Sequence, residues 1–220
     1  MYVTCLDLEG VLVPEIWIAF AEETGIEELK LTTRDIPDYD VLMNKRIGIL
    51  KEHNLTLKDI QNTIAKIKPL DGAKEFLDKL RQLCQVIILS DTFTQFALPL
   101  MQQLDMPTIF CNELIVDENN MITGFKMRQD NGKYHAIKAL QSIGYKTIAS
   151  GDSFNDLGMI KQAEKGFLFR SPEHIQKDNP DVKAFTEYDF FHILKRIERL
   201  ITLSLDFFDS LCYNTVIINS

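Results

Sequence analysis

Two carboxylates stand at the end of an apolar N-terminal segment of this 220-residue chain. The pattern from Tyr2 to Leu8 predicts a buried β-strand, and the two acids, Asp7 and Glu9, are two positions apart. Residues with this spacing in a strand project to the same side, and carboxylates are costly to bury without a partner. Gly10 then allows the backbone to turn sharply. The pattern indicates a site for a cation or a phosphoryl group where a strand leaves an open α/β sheet. The alternative is an ordinary strand that runs into an acidic loop.

Three later segments favour the functional interpretation. A second apolar strand is predicted before Ser90, so that it ends in a hydroxyl. Lys133 follows a glycine at the start of a helical pattern. A further strand pattern leads into Gly-Asp-x-x-x-Asp, which supplies Asp152 and Asp156. The order along the chain is therefore acid pair, hydroxyl, lysine, acid pair.

Strand and helix patterns alternate along most of the chain. This alternation predicts a Rossmann-like α/β core with a mostly parallel sheet, formed by residues 1–13 and 70–205. Residues 14–69 carry helical patterns without a convincing strand, which predicts an inserted helical cap. The alternating stretch 109–128 predicts a β-hairpin around Asn119-Asn120, because Asn tolerates positive φ. The predicted strands are residues 2–8, 86–90, 108–116, 121–128, 146–150 and 166–169.

Composition argues against several classes of function. The net charge of −8 disfavours nucleic acid as the main partner, although a small anionic ligand stays compatible because local charge governs a site. The chain shows no secretory N-terminal region and no uncharged run of about 18 residues, so we expect no membrane partner and a cytoplasmic location. The cysteines and histidines are scattered and form no zinc-binding pattern. A homodimer is compatible with the sequence. The role of the tail, residues 206–220, is open between an added docking strand and an unselected extension.

The order of the motifs resembles the haloacid dehalogenase superfamily of phosphotransferases over roughly residues 1 to 200. Within that superfamily, the stretches 7–17, 36–43 and 89–93 look like the phosphoserine phosphatase branch. They are most similar to its bifunctional phosphoserine phosphatase/homoserine phosphotransferase subgroup. The superfamily usually has a second Asp where this chain has Glu9. The bifunctional subgroup looks like the one that carries Glu at this position, so the difference favours the resemblance to that subgroup.

The resemblance implies a role for each polar residue of the motifs. Asp7 is the nucleophile that becomes phosphorylated. Mg²⁺ would be held by Asp7, the backbone carbonyl of Glu9 and Asp152, and would neutralise charge before the attack. Ser90 and Lys133 would bind the transferring phosphoryl oxygens. Taken singly, a strand-end serine is usually a turn residue and a lone lysine is usually solvated.

Further residues of the same motifs are expected to surround the substrate. Asp91 and Thr92 follow the motif serine, and Asn155 would reach the phosphate or the substrate by similarity. Asp156 has an interpretation of its own, because Ser153-x-x-Asp156 fits a capping box. It would also support the metal ligands from behind.

The resemblance makes Glu9 a general acid and base that protonates the leaving hydroxyl and then activates the acceptor; the alternative is an exposed loop glutamate.

Arg46 lies on the apolar face of a helix predicted for residues 41–53, where Arg is unusual unless its head group reaches solvent or pairs. A substrate carboxylate is a suitable bidentate partner. Glu15 follows Pro14 at a helix start, where the helix dipole alone would favour a glutamate. By resemblance, Glu15 binds the ammonium and Arg46 the carboxylate of an α-amino acid.

The resemblance therefore implies a Mg²⁺-dependent phosphoserine phosphatase of serine biosynthesis, with phosphotransfer to homoserine as an additional activity that would serve threonine biosynthesis. One alternative is a phosphatase for another small phosphate ester, in which Glu15 and Arg46 do not bind an amino-acid zwitterion. A non-enzymatic alternative is a receiver-type signalling module, which also uses strand-end acids, a hydroxyl and a lysine. That module carries its phosphorylated Asp after a later strand, and it gives no reason for a helical insertion at 14–69.

Overall fold

A computed structural model of the chain describes residues 1–33, 35–36, 38–186 and 199. The strands in this part of the chain are β1 (Tyr2–Leu6), β2 (Gln85–Phe93), β3 (Thr108–Val116), β4 (Ile122–Lys126), β5 (Lys146–Gly151), β6 (Lys165–Phe169) and β7 (Lys183–Phe185). The α-helices are α1 (Ile16–Thr24), α2 (Tyr39–Glu52), α3 (Leu57–Ile64), α4 (Ala73–Leu83), α5 (Thr94–Gln103), α6 (Gly132–Ser142), α7 (Leu157–Gln162) and α8 (Glu173–Asp178). Short 3-10 helices cover Glu27–Lys30 and Phe154–Asp156.

The seven strands form one sheet in the order β4-β3-β2-β1-β5-β6-β7. All neighbouring strands are parallel except β4, which pairs antiparallel with β3 as the predicted hairpin. One apolar cluster packs α4 and α5 against the sheet and a second packs α6, α7 and α8. The predicted α/β class, with a mostly parallel sheet and a β-hairpin, is confirmed.

The sheet topology brings the predicted motifs to one place. Strand β1 lies between β2 and β5, and the chain leaves β1 for β2 on one side before it returns to β5 on the other. Because the three strands are parallel, their carboxyl ends meet at one edge of the sheet. A reversal of strand order of this kind opens a crevice at that edge, which is where open α/β sheets bind ligands.

The first strand is shorter than predicted. Strand β1 ends at Leu6 rather than Leu8, because local hydrogen bonds start a turn there. Oδ1 of Asp7 accepts from the backbone N–H of Leu8 at 2.8 Å, and the carbonyl of Leu8 accepts from the N–H of Leu12 at 2.8 Å. The acid pair is therefore displayed from a tight loop and not from the strand itself.

Two other strands also differ from the prediction. Strand β2 continues to Phe93 rather than ending at Ser90, but its register with β3 shifts between Leu89 and Phe93. Such a bulge leaves the intervening residues without regular pairing. Strand β7 was not predicted, because three residues are too few to show a two-residue period.

In its described residues, the segment 14–69 contains the helices α1, α2 and α3 and no strand of the sheet. Helix α2 begins two residues earlier than predicted, since the Asp38 side chain caps it by accepting from the N–H of Val41 at 3.0 Å. The division of the chain into a core and a cap at these boundaries stays a prediction.

The hairpin contacts this helical segment at the N-terminus of α3. Asn120, at the hairpin turn with φ of 64°, accepts from the N–H of Leu57 through its backbone carbonyl at 2.9 Å. Its side-chain Oδ1 accepts from the N–H of Lys58 at 2.8 Å. The turn therefore supplies acceptors to two N–H groups that a helix start leaves without intrahelical partners.

An aromatic chain continues the contact between the helical segment and the sheet. Tyr39 packs edge-on against Phe125, Phe125 against Phe93, and Phe93 against Phe96, with ring centroids 5.7–6.3 Å apart. Phe96 then meets Trp17 of α1 at 5.6 Å. Helices α1 and α2 are thus linked by aromatic contacts to the end of β2, to α5 and to the hairpin strand β4.

Among the helices of the described residues, none is both long and apolar enough to cross a bilayer. The predicted tail, residues 206–220, and the last part of the predicted core, residues 187–198 and 200–205, lie outside the described residues.

Candidate active site

Three aspartates from two loops meet at the carboxyl ends of β1 and β5. Asp7, Asp152 and Asp156 each place a carboxylate oxygen within 4.8 Å of the others. Asp7 and Asp156 are buried and Asp152 is half-buried. Carboxylates this close repel one another and lose hydration, so the arrangement is unfavourable unless cations neutralise it.

Lys133 supplies one such cation. Its Nζ lies 2.7 Å from Oδ1 of Asp156, 2.9 Å from Oδ1 of Asp7 and 3.5 Å from Oδ2 of Asp91. Only 5% of its side chain is exposed, so it is not a solvated surface lysine. The surrounding carboxylates, Asp156 first, hold the pKa of Lys133 well above its usual value in spite of burial. The ammonium therefore stays charged and orients the carboxylates of Asp156, Asp7 and Asp91.

Asp156 uses its oxygens to hold the loop that follows β5. Oδ2 accepts from the backbone N–H groups of Asp152 and Ser153 at 3.1 and 3.0 Å and from the Ser153 hydroxyl at 3.0 Å. Oδ1 accepts from Lys133. The predicted capping box is present, although it starts the 3-10 helix before α7. With both oxygens engaged, Asp156 positions the other acids rather than offering a free ligand atom.

Two glycines make room for this cluster. Gly10 has φ of 77°, and a Cβ there would lie 2.5 Å from the carboxyl carbon of Asp152. A Cβ on Gly151 would collide with the carboxyl group of Asp156. The loop after β1 therefore approaches the loop after β5 at Gly10, and the loop after β5 folds back on itself at Gly151, so that only a hydrogen atom fits at either position.

The electrostatics show that one lysine does not balance the cluster. Burial, followed by the charge of Asp156, raises the pKa of the Asp7 carboxyl well above its usual value. Burial and the charges of Asp156 and Glu15 raise the pKa of Asp152 to about 7. A second cation would remove this penalty, and a set of carboxylate oxygens suits a hard divalent ion. The residues present therefore fit a divalent metal site.

The end of β2 completes the other wall of the site. Ser90 and Thr92 are buried, and the Thr92 N–H donates to the Ser90 hydroxyl oxygen at 3.2 Å. Nδ2 of Asn155 donates to Oδ2 of Asp91 at 2.6 Å, which joins the loops after β2 and β5. The structure thus brings these four predicted substrate residues to the same edge as Lys133.

Glu9 lies between the acid cluster and helix α1. Its Oε2 accepts from the N–H of Ile16 at 2.9 Å, at the start of that helix. Burial, then the charge of Glu15 and a hydrogen bond with its carboxyl group, raise the pKa of Glu9 to about 8. Glu9 is half-buried. Because of its raised pKa, its carboxyl group is mostly protonated at neutral pH, unlike that of a free loop glutamate.

Arg46, on α2, is buried within the helical segment and is 7% exposed. Its guanidinium lies over the Trp17 ring at 4.5 Å, and Nη2 donates to the carbonyl of Leu31 at 2.7 Å. Burial lowers the pKa of Arg46 to about 10, while Tyr39, Glu9 and Glu15 act against that shift, so the group stays charged at neutral pH. Its buried Nε finds no acceptor among the described residues. A buried charged donor without an acceptor favours an anionic ligand at that place.

Two residues of this site were not predicted. Tyr39 donates its hydroxyl hydrogen to the carbonyl of Asp91 at 3.3 Å, and Asn112 donates to the same carbonyl at 3.1 Å. Tyr39 lies seven positions before Arg46 and shares its face of α2, but the predicted helix began at residue 41 and left Tyr39 outside it. Asn112 lies inside a predicted strand, and nothing in the sequence set it apart.

The cluster contains the chemical groups that are needed to transfer a group from an anionic ester. A carboxylate stands beside a fixed ammonium, a second cation site is available, and a carboxyl group with a pKa near neutrality is at hand for proton transfer.

Comparison with known proteins agrees with this chemistry. The family model of the haloacid dehalogenase-like hydrolases matches residues 5–164. The chain is 53% identical over 189 residues to phosphoserine phosphatase ThrH of Pseudomonas aeruginosa, covering 86% of this chain and 92% of that protein. It is also 53% identical to a phosphoserine phosphatase of Pseudomonas syringae pv. tomato, covering 85% of this chain and 79% of that protein. A crystal structure of apo phosphoserine phosphatase superposes with a TM-score of 0.72 at 25% identity, covering 88% of this chain and 97% of that one.

Proposed function

The chain belongs to the haloacid dehalogenase-like hydrolases, and on that basis we propose that it is a Mg²⁺-dependent phosphoserine phosphatase that works through a phosphoaspartyl intermediate. The observation that carries the proposal is the buried contact of 2.9 Å between Asp7 and Lys133, in a cluster with two further aspartates. Two relatives at 53% identity, which cover most of the chain, are phosphoserine phosphatases and support phosphoserine as the proposed substrate.

In the first step an Asp7 oxygen attacks phosphorus, and the bond between phosphorus and the serine oxygen breaks. Glu9, whose raised pKa keeps it protonated, gives its proton to that departing oxygen. In the second step Glu9 takes a proton from water as the water oxygen attacks phosphorus, and the bond between phosphorus and the Asp7 oxygen breaks. Phosphate leaves, and both carboxyl groups return to their starting state.

The metal ligands in this proposal are Asp7, the backbone carbonyl of Glu9, and Asp152, with Asp156 fixing their loop. Mg²⁺ at that place supplies positive charge, which lets an anionic nucleophile approach an anionic ester. Gly10 supports the assignment, because its lack of a side chain leaves the space that Asp152 occupies.

The phosphoryl oxygens are received by Lys133 and Ser90 in the proposed complex. Asp91, Thr92 and Asn155 would contact the phosphate or the rest of the substrate. The hydrogen bond from Asn155 to Asp91 holds two of these groups in a fixed relation before substrate arrives, which favours a preorganised site.

The amino-acid end of the substrate is bound by the helical segment 14–69, which acts as a cap. Glu15 takes the ammonium, and Arg46 takes the carboxylate with the Nε donor that has no acceptor among the described residues. With these two groups on the cap and the phosphate on the core, substrate draws the two parts together and limits access of water.

We further propose that homoserine accepts the phosphoryl group. Homoserine carries the same ammonium and carboxylate as serine, with one more methylene, so Glu15 and Arg46 suit both. A held acceptor gains from proximity that bulk water lacks. The enzyme is proposed to act on these small molecules in the cytoplasm, with neither nucleic acid nor membrane as partner.

The decisive experiment is a panel of phosphomonoesters assayed with Mg²⁺, with and without homoserine. Phosphate release from phosphoserine well above the other esters supports the proposal. A broad or different preference would favour the phosphatase for another small ester. A stable phosphoprotein without turnover would favour the receiver-type module. That module would then carry its phosphorylated Asp after the first strand and not, as is usual for it, after a later strand.

A further inference from the structure

Tyr39 joins the helical segment to the core through two different contacts. Its ring packs edge-on against Phe125 of β4, with centroids 6.1 Å apart and planes at 89°. Its hydroxyl donates to the backbone carbonyl of Asp91 at 3.3 Å. The ring contact is apolar and not directional. The hydroxyl contact is directional and involves one peptide group, next to Ser90 of the proposed phosphoryl site.

Asp91 is the residue where four parts of the molecule meet. Its carbonyl also accepts from Nδ2 of Asn112 on β3 at 3.1 Å. Its carboxylate lies 3.5 Å from Nζ of Lys133 on α6 and accepts from Asn155 of the loop after β5 at 2.6 Å. A movement of the Asp91 peptide would therefore shift Lys133 and Asn155 as well.

The irregular backbone makes this peptide dependent on such contacts. The pairing of β2 with β3 is interrupted between Leu89 and Phe93, so the intervening residues lack regular ladder hydrogen bonds. Side chains from outside the strand, Asn112 and Tyr39, supply bonds to the carbonyl of Asp91 instead. Asn112 comes from the sheet, and Tyr39 comes from the helical segment.

We propose that Tyr39 is a positioning residue whose hydroxyl aligns the Ser90–Thr92 backbone when the helical segment is seated on the core. This inference rests on the proposed phosphatase function for its effect on turnover. Through Asp91, the hydroxyl couples the part of the molecule that holds the amino acid to the part that holds the phosphate. Phenylalanine at this position would keep the ring packing and lose the coupling.

The chemistry of the donor agrees with this role. At 3.3 Å the contact is longer than the usual range of about 2.5–3.0 Å for a hydroxyl–carbonyl hydrogen bond, so its effect should be modest. Burial, and then the charge of Asp91, raise the pKa of the Tyr39 phenol above its usual value. The phenol therefore remains protonated, and a hydrogen-bond donor, across the neutral range.

The test compares Tyr39→Phe with Tyr145→Phe, which removes a hydroxyl from another half-buried tyrosine that packs against the second apolar cluster. We expect Tyr39→Phe to lower kcat/KM for phosphoserine by about 3- to 10-fold, the scale of one neutral hydrogen bond. The decrease should lie mainly in kcat and should be the same factor at every pH between about 6 and 9, because the phenol does not titrate there.

Amide hydrogen exchange gives a second readout that needs no substrate. In Tyr39→Phe we expect faster exchange at residues 90–93, with the melting temperature close to that of the wild type, and in Tyr145→Phe no change at these residues. Wild-type exchange at 90–93 in Tyr39→Phe, or an effect on kcat/KM equal in both variants, would overturn the proposal. If the wild type fails to hydrolyse phosphoserine, the proposed function fails, while the exchange comparison still decides the positioning role.

Discussion

Nζ of Lys133 lies 2.9 Å from Oδ1 of Asp7, in a contact where 5% and 7% of the two side chains are exposed. Neither residue is close to the other in sequence, and each alone has an ordinary interpretation. Together they place a nucleophilic oxygen and a fixed positive charge at the end of the central strand.

Replacing Asp7 with Asn should abolish turnover and leave the protein folded. We expect loss of phosphate release by on the order of 10³-fold or more, because removing the nucleophile of a covalent enzyme has effects at least this large. Since the pKa of Asp7 is raised by burial, the neutral amide should not lower the melting temperature. Asp181→Asn, an exposed site, serves as the control. Near-normal phosphate release with an intact far-ultraviolet CD spectrum would refute the covalent mechanism.

Replacing Lys133 with Met should destabilise the fold as well as stop the reaction. Removing one partner of a buried ion pair leaves uncompensated charge, and the expected decrease in the free energy of unfolding is about 3–5 kcal/mol. Lys138→Met, on the exposed side of the same helix, should lose at most about 1 kcal/mol. Urea denaturation measures both.

The same experiment has an internal check. Because Asp7 and Lys133 share one contact, Asp7→Asn combined with Lys133→Met should lose less stability than the sum of the single changes. Strict additivity would show that the two residues do not interact.

Gly10→Ala should impair the acid cluster beyond the backbone strain that alanine introduces at positive φ. Gly72 provides a matched control, since its φ of 78° is nearly that of Gly10 at 77°, and a Cβ there would meet nothing within 4 Å. Both variants should lose roughly 1–2 kcal/mol from the left-handed backbone. Only Gly10→Ala should displace Asp152 and raise the Mg²⁺ concentration needed for half-maximal activity. An equal Mg²⁺ requirement in both variants would exclude a tight fit at Gly10.

Arg46→Ala should discriminate between substrates that differ by one carboxylate. For phosphoserine we expect kcat/KM to decrease about 10- to 150-fold, equivalent to about 1.5–3 kcal/mol of charge-assisted hydrogen bonding. For phosphoethanolamine, which lacks the carboxylate, the decrease should be much smaller. Equal losses on both would indicate that Arg46 acts only through its contacts with Trp17 and Leu31.

Homoserine should compete with water for the phosphoryl group. Incubation of enzyme, Mg²⁺, phosphoserine and homoserine should yield phosphohomoserine beside free phosphate, detected by mass spectrometry. Arg46→Ala should reduce the phosphohomoserine share, because the acceptor uses the same carboxylate site. Phosphate release at the full rate without phosphohomoserine would leave a plain phosphatase.

The sequence alone was sufficient for features that depend on local order. The buried strand before Asp7, the hairpin turn at Asn119-Asn120 and the capping box of Ser153 and Asp156 are each encoded within a few neighbouring residues. Local hydrophobic period and turn chemistry decide such elements, so they can be predicted from the sequence. The order of the motifs also indicated the family correctly.

Only the tertiary structure decided how distant residues share their charges and hydrogen bonds. Lys133 meets Asp7 and Asp156 because three parallel strands end at one edge, and Tyr39 meets Asp91 because α2 packs on the hairpin. The raised pKa values of Asp7 and Asp152 have the same origin, since desolvation and repulsion depend on which groups are neighbours in space. Neighbouring residues in the sequence carry no record of those distances, so the fold determines them.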